Sequence, residues 1–137
     1  MVNHDCLPNA RVVFDPQGDA NLLAKRKISK GEAITITYCT LLTNTPTRLQ
    51  KLKKSKFFTC QCNLCQDPME KGTYMSALTC PKCKGYLLPK SFHNPSDWHC
   101  NKCAFTTTDE KVQKLIEAVR NQVTAICRYL NQLILFK

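Results

Sequence analysis

Seven of the ten cysteines in this 137-residue chain crowd between residues 60 and 103, and their spacing constrains the fold more than any other feature. Cys80, Pro81, Lys82, Cys83 and Cys100, Asn101, Lys102, Cys103 are two CxxC knuckles with sixteen residues between them. Each presents two thiolates from a tight turn, and a pair at this separation folds back so that four sulfurs converge tetrahedrally on one ion, the zinc-ribbon arrangement. Two short disulfides or a redox pair are the competing use of such cysteines. The duplicated knuckles argue against both. So does the amino terminus, where Met1, Val2, Asn3, His4 and Asp5 form no basic segment leading into an apolar core. An intracellular chain, cytoplasmic or nuclear, is therefore expected, and in a reducing compartment paired cysteines serve first as metal ligands. Four sulfur ligands leave no open position, so this zinc is expected to be structural.

A second cluster, Cys60, Gln61, Cys62, Asn63, Leu64, Cys65, supplies three thiolates and leaves a tetrahedral ion one ligand short. Cys6, Cys39, Cys127, His4, His93 and His99 are the candidates, and spacing does not choose among them. Three ligands and a water would make a reactive centre, whereas a fourth side chain would close it.

A chain this short needs such staples, because a small domain buries only about two-thirds of its unfolded surface. At 43% hydrophobic, with 4 Gly and 7 Pro, it is neither disordered nor collagen-like. No run approaches the roughly 18 apolar residues of a membrane span, so a soluble protein without a membrane partner is expected. The 20 basic against 10 acidic residues give a formal charge of +10, which suits nucleic acid, acidic peptide or anionic lipid alike. The basic stretches, Lys25, Arg26, Lys27 and Lys30 with Arg48, Lys51, Lys53, Lys54 and Lys56, lack interleaved aromatics or an arginine-rich reading helix. Nucleic acid is thus not expected as a specific ligand. Two four-thiolate zinc sites, at −2 each, would reduce the charge to about +6.

The remaining pattern predicts a mixed α+β chain. Val12, Val13 and Phe14, a turn from Asp15 to Asp19, and Leu22, Leu23 and Ala24 read as a hairpin. The β-branched run Ala33, Ile34, Thr35, Ile36, Thr37, Tyr38 follows a turn at Lys30 and Gly31 and reads as one more strand. From Thr45 to Lys54 a threonine cap, Pro46 in the first turn, and Leu49 and Leu52 three apart predict a short basic helix. Thr107 and Glu110 form a capping box ahead of Val112, Leu115, Ile116, Val119, Val123, Ile126, Leu130, Leu133 and Ile134, all at helical spacing. That apolar face needs a partner, either neighbouring helices or a second chain in a coiled coil.

Three motifs in order resemble one family. Asn3, His4, Asp5, Cys6, Leu7, Pro8, Asn9 resembles the NHxCxPN signature of SET-domain lysine methyltransferases. Gly31, Glu32, Ala33, Ile34, Thr35, Ile36, Thr37, Tyr38 is similar to their GE(E)ITxxY signature, and Cys60, Cys62 and Cys65 match the post-SET CxCxxC. Phe57 and Phe58 before those cysteines, and Asp67, Pro68, Gly72, Thr73, Tyr74, Ser76, Ala77 and Leu78 after them, resemble the SET- and MYND-domain (SMYD) family. The arthropod SmydA branch, with an added CxxC pair behind the post-SET region, is the nearest likeness.

The resemblance implies a partial SET β-fold with a zinc-stapled post-SET segment, a zinc-ribbon-like segment and a carboxy-terminal α-helix. The implied segments are 1–44 for the carboxy-terminal part of SET, 45–79 for post-SET, 80–108 for the ribbon and 109–137 for the start of a helical region. It implies that Cys6 joins Cys60, Cys62 and Cys65 around one ion, that Asn3, His4 and Phe58 contact S-adenosylmethionine, that Asn9 helps form the surrounding pseudoknot, and that Tyr38 is the active-site tyrosine. A protein substrate or partner is implied, with association through the terminal helix.

The chain also departs from the pattern. It starts two residues before the first signature, and none of Gly18, Gly31, Gly72 and Gly85 forms the GxG loop that cradles the cofactor in the family. Lys56 stands where relatives carry a tyrosine of the lysine channel, Asp5 where serine is common, and Ala33 where a second glutamate is common. The expectation is a methyltransferase fragment that is inactive alone, with a zinc-binding interaction module as the alternative.

Overall fold

The computed structural model describes residues 2–40 and 42–135, the last five of them by backbone alone. The chain is α+β and separates into two compact units, one running to Leu78 and including Ser91–Asn94, the other comprising Thr79–Lys90 and the residues from Pro95 onward.

The first unit opens with β1 (Asn3–His4), β2 (Ala10–Phe14) and β3 (Ala20–Ala24). The predicted hairpin forms: β2 and β3 are antiparallel, with Ala10 opposite Ala24 and Phe14 opposite Ala20. Its turn is held by Asp15, whose Oδ1 accepts the N–H groups of Gln17 and Asp19 at 3.1 and 2.8 Å. Val12, Val13, Phe14, Leu22 and Leu23 are all exposed along the hairpin.

The expected strand from Ala33 to Tyr38 is shorter than its pattern suggests. Only Thr35–Ile36 forms a strand, β4, in parallel register with β1, Asn3 beside Thr35 and His4 beside Ile36. Side chains intercept the rest of its hydrogen bonding. Asn9 Oδ1 accepts the Thr35 N–H at 2.8 Å, and His4 Nδ1 accepts the Tyr38 N–H at 3.0 Å.

Asn9 is 2% exposed and fully committed. Besides Thr35 it donates from Nδ2 to the Ala33 carbonyl and to Glu32 Oε1, both at 2.9 Å. Glu32 in turn binds Arg26 at 2.5 Å and accepts the Ser29 N–H, and these partners, Arg26 foremost, then Asn9, hold its carboxyl down to about 2. Asn9→Ala removes the partners of the part-buried Thr35 N–H and Ala33 carbonyl, so a loss of about 1–2 kcal/mol is expected in urea denaturation of the zinc-loaded chain. A midpoint unchanged within error would contradict this role.

Helix α1 (Thr45–Lys56) is set by its breaker and its cap. Its cap is Asn44 and not the expected Thr45: the Asn44 side chain accepts the Thr47 N–H at 3.1 Å and Pro46 occupies the first turn. Thr45, Arg48, Leu49 and Leu52 share the buried face, and the lysines of the last turn complement the helix dipole. The helix ends at Phe57, which is left-handed (φ 60°) and 89% exposed.

The Thr45 hydroxyl is instead used sideways. Glu70, 1% exposed, accepts from Thr45 N (2.9 Å), Thr45 Oγ1 (2.5 Å), Ser76 N (2.6 Å) and Ser76 Oγ (2.8 Å). Arg48 completes this polar knot by donating to Thr45 Oγ1 at 2.6 Å and to the Thr43 carbonyl. Between α1 and Glu70 lies the single turn α2 (Asn63–Gln66), which carries Cys65.

In the second unit β5 (Leu78–Thr79), β6 (Tyr86–Pro89), β7 (Asp97–Cys100) and β8 (Thr106–Thr108) form a sheet in that order, β6–β7 and β7–β8 antiparallel. Leu87, Leu88 and Trp98 are buried on its strands, and Val112 is buried on the helix that follows. Helix α3 (Asp109–Leu135) follows directly. The expected capping box does not form, because Thr107 lies in β8 opposite Trp98. Asp109 does the anchoring, accepting Trp98 Nε1 at 2.9 Å. Along α3, Leu115, Val119, Val123, Ile126 and Leu130 are exposed at helical spacing, while the side chains of Leu133 and Ile134 lie outside the described residues. No helix among the described residues is long and apolar enough to cross a membrane.

Candidate metal centres and an adjoining cleft

Both cysteine quartets assemble. The sulfurs of Cys6, Cys60, Cys62 and Cys65 lie within 4.8 Å of one another, as do those of Cys80, Cys83, Cys100 and Cys103. Zinc with bonds of about 2.3 Å holds tetrahedral sulfurs about 3.8 Å apart. The observed separations bracket that value: Cys6 to Cys60 is 4.0 Å, Cys6 to Cys65 is 3.4 Å, Cys80 to Cys103 is 3.8 Å and Cys83 to Cys100 is 3.4 Å. Two sulfur-only, four-donor sites fit zinc in softness and in number.

The second-unit quartet is built on two crossed knuckles. Lys84 is left-handed (φ 61°) and its N–H returns to the Cys80 carbonyl at 3.1 Å, while Lys102 N–H reaches Cys100 Sγ at 3.3 Å. The crossing is tight at Gly85, where a Cβ would stand 2.9 Å from Asn101 Oδ1 and 3.0 Å from Lys102 Cγ and would displace those side chains. Burial opposes ionisation of Cys100, but the N–H groups of Lys102 and Cys103 outweigh it and draw its thiol down to about 6. Cys83 is pushed up to about 12 despite the Gly85 N–H, because a second thiolate beside Cys100 is unfavourable.

The first-unit quartet shows the same polarity. Hydrogen bonds from the Cys6 and Cys65 thiols hold Cys62 far below an ordinary thiol, and Cys6 is pushed far above one by Cys62, by Cys65 and by burial. A divalent cation is what lets four such sulfurs ionise together. Of the six candidates for the fourth ligand, the fold delivers Cys6. Cys39 is buried nearby and outside the quartet, with its thiol raised by burial, and Cys127 is exposed on α3. His99 lies in β7, and His93 approaches only the backbone, with Nε2 2.7 Å from the Cys60 carbonyl.

Arg48 belongs to this centre. The sequence groups it with surface lysines, yet it is 7% exposed and its guanidinium lies against the Cys6 and Cys65 thiols. Burial works against its charge, but those sulfurs hold it protonated. A four-thiolate zinc site is a dianion, and a buried cation beside it offsets the charge.

Next to the quartet opens a cleft of 690 Å³ lined by Val2, Asn3, His4, Ile36, Tyr38, Lys56 and Phe58. Thus Asn3, His4, Tyr38 and Phe58, separated by up to 55 positions, line one cavity, while Asn9 is not part of its lining and bonds Thr35, Ala33 and Glu32 instead. The His4 ring lies 5.1 Å from the Tyr38 ring and 5.9 Å from that of Phe58. Burial lowers the His4 pKa and keeps the imidazole neutral. The Tyr38 hydroxyl donates to the Val2 carbonyl. Lys56 extends its ammonium over the Tyr38 ring, 5.6 Å from the centroid, placing a cation in an otherwise largely apolar cavity. Arg48 and Glu70 are the important side chains that motif reading misses, and neither carries a spacing that would mark it.

Comparison with known proteins agrees with this geometry. Residues 1–39 match the SET domain family. The SET domain-containing protein SmydA-8, isoform A, of Drosophila melanogaster is 36% identical over 126 residues, covering 90% of this chain and 27% of the relative. The histone-lysine N-methyltransferase ASHR1 of Arabidopsis thaliana is 35% identical over 124 residues, 84% of this chain and 25% of the relative. The histone-lysine N-methyltransferase Smyd1 of Mus musculus is 29% identical over 141 residues, 93% of this chain and 27% of the relative. The chain spans about a quarter of the length of these curated relatives.

Proposed function

The chain is a member of the SMYD-like SET-domain family, and from that premise we propose that its cleft is part of an S-adenosylmethionine-dependent protein-lysine methyltransferase site. The observation that carries the reading is the meeting of Asn3, His4, Tyr38 and Phe58 around one cavity beside the Cys6 quartet. Zinc held by Cys6, Cys60, Cys62 and Cys65 would tie the strand region to the post-SET segment and be structural, as would zinc held by the ribbon quartet. S-adenosylmethionine, when bound, supplies an electrophilic sulfonium methyl group.

Transfer to a lysine amine forms one N–C bond as the C–S bond breaks, so the protein's work is alignment and exclusion of water. Asn3, His4 and Phe58 wall the cofactor side, and Tyr38 narrows the cleft where the amine approaches. The Tyr38 hydroxyl donates to Val2, which leaves its oxygen lone pairs to orient the amine and contact the polarised methyl group. Lys56 opposes a charged lysine entering the same space. With that cation in the cleft, the 137-residue chain by itself does not catalyse transfer. The acceptor is a protein lysine, and the cytoplasm or nucleus is the place of action.

Titration of the zinc-loaded chain with S-adenosylmethionine tests this. Calorimetry is expected to show no saturable micromolar binding, while millimolar cofactor shifts the amide signals of Asn3, His4, Tyr38 and Phe58. Saturable micromolar binding would overturn the inactivity; shifts confined to other residues, or none, would overturn the cofactor site. The second reading, a zinc-bearing interaction module, is favoured by the exposed apolar face of α3 and predicts the latter outcome.

A further inference from the structure

The His4 side chain is engaged at both ring nitrogens. Nδ1 accepts the Tyr38 backbone N–H at 3.0 Å. The ring proton of the neutral imidazole therefore sits on Nε2, which lies 3.3 Å from Cys6 Sγ. One rigid, planar group thus connects a sulfur of the metal quartet to the main chain of a cleft residue. Cys6 is the only member of that quartet from outside residues 60–65. Arg48 also faces Cys6, but it comes from α1 and does not line the cleft. His4 both contacts the quartet and lines the cleft.

We propose that His4 is a positioning residue, a strut that sets the Tyr38 backbone from the Cys6 sulfur, so that the metal held by Cys6, Cys60, Cys62 and Cys65 is felt inside the cleft. An N–H donated to a metal-bound thiolate stabilises its negative charge and fixes the ligand's direction, and removing such a partner lowers metal affinity about 10–100-fold. The opposite nitrogen completes the chain of contact. Without it the Tyr38 N–H, in a part-buried position, has lost its acceptor. The strut rests on the proposed function only for what the cleft binds; the mechanical link stands without any cofactor.

The test uses the zinc-loaded chain with labelled histidine. Long-range proton–nitrogen spectra are expected to show the His4 proton on Nε2, and a proton on Nδ1 would overturn the proposal. Replacing zinc by cadmium lengthens the metal–sulfur bonds, and the Tyr38 amide signal is expected to move in response. In His4→Phe that response is lost, and zinc affinity, followed through the Cys60 to Cys65 amides under chelator competition, drops about tenfold. The two amide variants separate the ends of the strut. His4→Gln places an N–H near the Nε2 position and retains zinc affinity within about twofold, whereas His4→Asn offers an acceptor to Tyr38, does not reach Cys6, and loses affinity as His4→Phe does. Equal affinities across the variants, or an undiminished Tyr38 response in His4→Phe, would overturn it. If a variant does not fold, the tautomer and cadmium response of the unaltered chain still decide. A chain that passes these measurements but shows no cofactor-dependent shifts would sink the methyltransferase reading and leave the strut standing.

Discussion

Cys65→Ser is expected to reduce the zinc content of the purified chain from two ions to one and to unfold the first unit. Cys65 is fully buried at 0% exposure and sits on α2, the single turn that closes the quartet with Cys6, Cys60 and Cys62. Serine keeps the shape but supplies a hydroxyl that does not ionise, so a three-sulfur site remains with Arg48 buried against it. Structural zinc contributes on the order of 10 kcal/mol or more to small metal domains, which equals or exceeds the whole stability of a typical small protein. The consequence is loss of dispersed amide signals from residues 2–78, with elemental analysis giving one zinc per chain. Cys39→Ser, at a buried cysteine outside both quartets, is the control and should keep both ions. Two zinc ions and an intact spectrum in Cys65→Ser would refute the structural role.

The next largest effect is expected at Glu70. Its two oxygens accept four hydrogen bonds from Thr45 and Ser76, and Arg48 stands behind the Thr45 hydroxyl. Glu70→Ala leaves the buried donors of Thr45 and Ser76 facing nothing, so the loss is about 2–4 kcal/mol. Glu70→Gln retains volume but turns an amide N–H toward at least one of those donors, and falls between. Burial pushes the Glu70 carboxyl up, yet the donors from Thr45 and Ser76 outweigh it and leave it below its ordinary value of 4.5. A lowered native pKa means that its stabilisation is complete above about pH 4.5 and fades as the pH falls through the native value. Glu32 and Asp67 are lowered as well and lose their contributions in the same direction. Denaturation midpoints of the native chain should therefore fall in acid more steeply than those of Glu70→Gln; parallel profiles would remove Glu70 from the account.

Both residues bear on what the amino-acid sequence discloses. CxxC and CxCxxC bring ligands together within a single turn of chain, so two ribbon knuckles and three of the other four sulfurs are legible from spacing alone. Cys6 is not, since its place depends on the fold, and only resemblance to a family supplies it. The hairpin is legible because Asp15 and Gly18 carry turn chemistry between two short apolar runs. The strand at Ala33–Tyr38 is over-read because β-branched composition reports preference and not partners: Asn9 and His4 take the N–H groups that a longer ladder would use. The capping box at Thr107 fails for a related reason. β8 claims that threonine before the helix begins. Arg48 and Glu70 are hidden most completely. A lone arginine amid lysines and a lone glutamate in a loop look like surface charge, and only the packing of α1 beneath them makes each indispensable to the other's surroundings.

The two quartets differ in how much chain each must close. Cys80 and Cys103 are 23 positions apart, whereas Cys6 lies 54 positions from Cys60 and 59 from Cys65. Closing the longer loop costs about 0.8 kcal/mol more in chain entropy. During synthesis Cys6, His4 and Asn9 emerge long before the segment that receives Cys6, so the strands beside the cleft wait, with the exposed apolar edge of β2 and β3 beside them, until Cys65 has left the ribosome. The feature that fastens the cleft in the finished molecule therefore waits on residues 60–65, which makes the interval between residues 6 and 65 the cleft's most vulnerable period.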